Sequence, residues 1–139
     1  MLSGHMEDEE MIIQVGDLEL LVWGADKQAP AAARQFVGEW FQDRGIKDAY
    51  TAQLIVSELV TNSLLHGLPP IVVRVVRDES DGRPIIEVED GGDGVPCVQP
   101  ESDTAINGRG LLLVAALAEE WGTDPLAEGG KVTWAKCAL

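Results

Sequence analysis

At 139 residues, 45% of them hydrophobic and 24% charged, the chain has the size of one domain that buries roughly two-thirds of its unfolded surface. Its 24 acidic residues against 10 basic ones leave a net charge of -14, which repels a phosphate backbone, argues against direct nucleic-acid binding and suits a basic protein partner. No apolar run approaches the roughly 20 residues of a membrane span, and no signal-peptide pattern is visible. The expectation is a cytoplasmic protein without membrane contact, with Cys97 and Cys137 as reduced thiols.

The opening "MLSGHMEDEE" has no hydrophobic period, and its "SGHM" resembles a cloning remnant. Residues 1–10 are therefore expected to be a tag remnant and a disordered start, ahead of a single domain over 11–139. Met11 to Val15 and Leu18 to Trp23 read as a hairpin turned by Gly16 and Asp17. A helix follows over "APAAARQFVGEWFQDRG", with Pro30 near its start, Phe36, Val37, Trp40 and Phe41 on one side, and Gly45 at its stop. The next runs from about Thr51 to His66, and Gly67, Pro69 and Pro70 bar its continuation.

"IVVRVVR" and "PIIEVED" are two strands around the polar turn "DESDG". Gly91 to Asn107 has no periodicity and exceeds the usual loop length, as lids and binding loops do. "GRGLLLVAALAEEWG" reads as a helix opened by two glycines, and "KVTWAKCAL" as a final strand. This order predicts an α+β two-layer sandwich: a mixed, mostly antiparallel sheet with helices on one face.

Three places break the expected patterns. In "SELVTNSLLHG", Glu58 and Asn62 fall within one narrow arc of a helix that is apolar over most of its circumference. Alone, that spacing is commoner on a solvated stripe; facing a pocket, Asn62 offers a neutral oxygen to a hard cation and Glu58 a proton acceptor. In "IIEVEDGGDG", Asp90 extends the face of Ile86 and Val88 at the strand's end, beside Gly91, Gly92 and Gly94. It reads either as a turn former or as an acceptor for a ligand amine, with the glycines admitting a flat ring. In "NGRGLLLV", Gly108 and Gly110 stand where a loop enters a helix, with Arg109 adding positive charge. Together the three supply base recognition, a metal ligand and a phosphate cradle, the parts a magnesium nucleotide requires.

On these motifs, in this order, the sequence resembles the GHKL, or Bergerat-fold, ATPases, and most of all the small bacterial anti-sigma factor serine/threonine kinases. The likeness runs from about Ala31 to Leu139. It implies ATP and Mg2+ as cofactors, with Asn62 coordinating the metal, Glu58 at the general-base position and Asp90 accepting from the adenine amino group. Gly92 and Gly94 match the backbone beside the base, and Gly108, Arg109, Gly110 and Leu111 the turn against the phosphates. His66 matches a position near the lid or phosphates, where packing or capping serves equally well. The family often opens its last strand with Gly-Thr; here Lys131 follows Gly130, and Thr133, two residues later, is the candidate that the resemblance leaves for the adenine pocket.

The implied function is an ATP-binding anti-sigma regulatory factor that phosphorylates Ser or Thr on an anti-sigma factor antagonist. Its implied partners are a sigma factor and that antagonist, within a homodimer. The alternative is a module of the same fold that holds ATP without catalysis. No upstream phosphoacceptor-histidine helix is visible, and 139 residues leave no room for the extra domains of gyrase-like or chaperone-like relatives.

Overall fold

The computed structural model describes residues 11–24, 26–92 and 105–138, the side chains of 105–109 excepted. Its elements run β1 (Met11–Val15), β2 (Glu19–Trp23), α1 (Ala29–Asp43), α2 (Tyr50–His66), β3 (Ile71–Arg77), β4 (Pro84–Asp90), α3 (Ala105–Leu117), β5 (Glu120–Pro125) and β6 (Lys131–Lys136). The strands form one sheet in the order β1-β2-β3-β4-β6-β5, and every pairing is antiparallel. The expected two-layer α+β sandwich is therefore present.

Strand alternation sorts the side chains. Leu20, Val22, Ile71, Val73, Val75, Ile86, Val88 and Ala135 face the helices and join one core with Phe36, Val37, Trp40 and Phe41 of α1 and Ile55, Val56, Leu59 and Val60 of α2. The other face is only partly covered: Ile13, Val15, Trp23 and Val76 are exposed, and Arg74 bridges Glu19 at 3.0 Å and Glu89 at 2.8 Å. Helix α2 has lost its amphipathic period because it lies deep. Sheet residues cover one side of it, and α1 and α3 flank it.

Three boundaries differ from the sequence expectation. The first hairpin turns through three residues, Gly16 to Leu18, because Val15 pairs with Glu19 and Leu18 stays exposed. Helix α3 starts at Ala105, so Ala105 to Asn107 belong to it rather than to the irregular loop, and Gly108 and Gly110 lie within the helix rather than ahead of it. At its other end α3 stops at Leu117, and the residues after it, "EWGTDP", are strand β5 rather than helix. Glycine, aspartate and proline make a poor strand by propensity. Pairing with β6 overrides this, and the ring of Trp134 lies across Gly122, 2.9 Å from where a β-carbon would stand.

Candidate active site

The site forms where the C-terminal half of α2 meets the end of β4, the start of β6 and the first turns of α3. The alternation of β4 aims Asp90 inward as expected, and the residue is 2% exposed. Its Oδ2 accepts from the Ser63 hydroxyl at 2.7 Å. Its Oδ1 accepts from the Gly92 N–H at 2.8 Å and from Lys131 Nζ at 3.0 Å. A buried carboxylate needs such partners to remain charged.

Around this carboxylate the backbone comes unusually close. A β-carbon on Gly67 would fall 2.4 Å from the Asp90 carboxyl carbon, and one on Gly92 3.0 Å from the Gly67 Cα. Both residues are glycine because a side chain at either would occupy the space beside Asp90. Gly67 also caps α2, donating its N–H to the Ser63 carbonyl at 2.8 Å.

One and two turns earlier on α2, Asn62 and Glu58 are half-buried on the arc the sequence assigned them. The Glu58 carboxylate lies over α3, its Oε1 2.8 Å from the point a β-carbon on Gly110 would take. Helix α2 thus joins the other two motifs: Ser63 holds Asp90, and Glu58 meets Gly110. The first four N–H groups of a helix lack internal partners. With α3 starting at Ala105, that group ends at Asn107, and the N–H groups of Gly108 and Gly110 both fall beyond it.

The remaining predicted residues divide. Leu111 is 2% exposed and its side chain belongs to the core. Thr133 is buried on the inward face, two residues from Lys131, its hydroxyl 3.3 Å from that of Thr123. His66 is exposed in the last turn of α2. Gly94, Cys97 and the Arg109 side chain lie outside the described residues.

Sequence reasoning missed Ser63 and Gly67 as site residues and saw Lys131 only as a departure. The sole local signal was a small polar residue, Ser63, on an otherwise apolar arc. Its partner is 27 residues away, and that of Lys131 is 41.

Chemically, the arrangement combines a buried acceptor walled by glycines, a partner for a ligand amino group, with an amide oxygen suited to a hard cation. Among the described residues no three His, Cys, Asp or Glu side chains cluster as a metal cage. A cation here would take most of its ligands from phosphate and water, the habit of Mg2+.

Residues 23–136 match the family described as the histidine kinase-like ATPase domain. The chain belongs to that family. The matched range runs from the last residue of β2 to the last of β6, so every element of the site lies within it. No curated protein matches the chain. Membership in the histidine kinase-like ATPases supports ATP as the ligand, and the donor set above is compatible with its base and its metal. No helix among the described residues is long and apolar enough to cross a membrane.

Proposed function

We propose that the protein is an ATP-binding anti-sigma regulatory factor that transfers phosphate to a Ser or Thr of an anti-sigma factor antagonist. The observation that carries this reading is the meeting of Glu58 with Gly110 on one side of α2 while Ser63 of the same helix grips Asp90. The net charge of -14 also suits regulation through protein partners better than contact with DNA. A sigma factor and the antagonist are the proposed partners, with the protein acting in the cytoplasm as a homodimer.

In this reading Asp90 accepts from the adenine amino group, with Gly92 and Gly94 beside the base. Asn62 holds the metal through its amide oxygen, and Gly108, Arg109, Gly110 and Leu111 line the phosphate end. Magnesium ATP, when bound, supplies the phosphoryl group and the charge neutralisation its transfer requires. Glu58 orients the incoming hydroxyl and takes its proton. His66 and Thr133 sit at the margins, near phosphates and base respectively.

The test uses γ-labelled ATP, magnesium and the cognate antagonist. Wild type is expected to transfer label, Glu58→Gln to bind nucleotide normally but transfer it about 100-fold or more slowly, and Asn62→Ala to lose nucleotide binding. Nucleotide binding by wild type without any transfer would replace the kinase with a module that only holds ATP.

A further inference from the structure

Asp90 and Lys131 are direct partners across β4 and β6, side by side on the helix-covered face. Side chains so placed have β-carbons about 5 Å apart. Asp90 is 2% and Lys131 5% exposed, and the ammonium sits 3.0 Å from Oδ1. A lysine confined this deeply forfeits hydration that one carboxylate repays only in part.

The hydrogen-bond inventory of the pair is directional. Among the described residues, Oδ1 takes two donors, Gly92 and Lys131, and Oδ2 takes one, Ser63. A carboxylate offers about four lone-pair sites, so Oδ2 can accept once more. An ammonium has three N–H donors, of which the Asp90 contact uses one. The pair therefore presents an acceptor and a charged donor next to each other. That is the complement of a ring edge carrying an exocyclic N–H beside a ring nitrogen, the N6 and N1 edge of adenine. Thr133, the next inward residue on β6, has its hydroxyl beside Thr123, which leaves the lysine as the better placed donor.

We propose that Lys131 is a base-reading residue, its ammonium donating to adenine N1 while Asp90 accepts from the neighbouring amino group. This rests on the reading of Asp90 as the partner of the base. It makes adenine recognition here a charged two-point contact within the protein's own strand pair.

Calorimetric titration of the intact protein with magnesium and three nucleotides tests it: ATP, 1-deaza-ATP, which has C–H in place of N1, and 7-deaza-ATP as the control. Loss of a charge-assisted hydrogen bond should weaken 1-deaza-ATP by about 10- to 100-fold relative to ATP, while 7-deaza-ATP binds like ATP. In Lys131→Met the difference between ATP and 1-deaza-ATP should vanish. Equal affinity of wild type for ATP and 1-deaza-ATP overturns the role of Lys131 without need of the variant, and so does discrimination that persists in Lys131→Met. Failure of wild type to bind any of the three overturns the nucleotide reading itself, and the role of Lys131 with it.

Discussion

Gly67 and Asp90 touch so closely that a β-carbon on the glycine would lie 2.4 to 2.6 Å from all three atoms of the carboxyl group. The φ of Gly67 is -103°, so alanine meets no backbone penalty there and the whole effect is steric. The carboxylate cannot retreat without leaving Ser63, Gly92 or Lys131. Gly67→Ala is expected to destabilise the fold by about 1–3 kcal/mol, the range for overpacking a filled site, and to lower ATP affinity at least tenfold. Chemical denaturation and nucleotide titration on one preparation check both.

At Gly110 the same substitution should have the opposite effect on stability. The atom a β-carbon would meet is Glu58 Oε1, the far end of a flexible side chain. Alanine gains up to about 1 kcal/mol over glycine inside a helix. Gly110→Ala is thus expected to be as stable as wild type or more so, while phosphotransfer falls because Glu58 has been turned aside. A variant that keeps full transfer would show that the position of the Glu58 carboxylate against α3 is immaterial.

Acid should weaken the turn between β3 and β4. Asp78 accepts from the Ser80 hydroxyl at 2.7 Å, from the Ser80 N–H at 2.8 Å and from Lys136 Nζ at 2.9 Å. The bonds from Ser80 first, and then that from Lys136, hold its carboxyl well below the usual carboxylate range. A depressed folded pKa contributes stability that is present above the unfolded value and lost as pH falls through the folded one. Denaturation midpoints should therefore drop more steeply below about pH 4 in wild type than in Asp78→Asn. High salt should shrink the difference, because the lysine contact is screened.

Burial pushes the Cys137 thiol up to about 11. The thiolate is the reactive form, so in a Cys97→Ser background the native protein should react with a disulfide reagent at pH 8 far more slowly than the denatured chain. A raised folded value also means that the unfolded chain loses its proton first, so this group's contribution to stability declines as pH climbs above its ordinary value of 9.0 toward 11. Rapid labelling of the native state would place the thiol at the surface.

What could be read beforehand was whatever a short window determines. Alternation in "PIIEVED" put Asp90 inward, and the apolar residues over most of the circumference around Glu58 and Asn62 marked α2 as deeply placed. What could not be read depends on partners far along the chain. Glycine, aspartate and proline weaken strand β5, which exists because β6 pairs with it. Nothing in a short window marks Ser63, and Gly67 reads there only as a helix stop; both meet Asp90 once β4 lies against α2. The start of α3 differs for another reason: two glycines that read as a helix entrance lie within the helix, and Glu58 occupies the room that Gly110 leaves.

The strand order carries a consequence for biosynthesis. Because β6 lies between β4 and β5, a nascent chain that has emerged as far as Pro125 can pair β1 to β4 but leaves β4 with an open hydrogen-bonding edge and β5 with no neighbour. Asp90 is then without its lysine as well. Such an edge is a template for wrong pairing, and it closes only when Lys131–Lys136 emerges from the ribosome and slides into the gap. The same late event seals the sheet and completes the charge pair at Asp90, so nucleotide binding would report that β6 has joined the sheet.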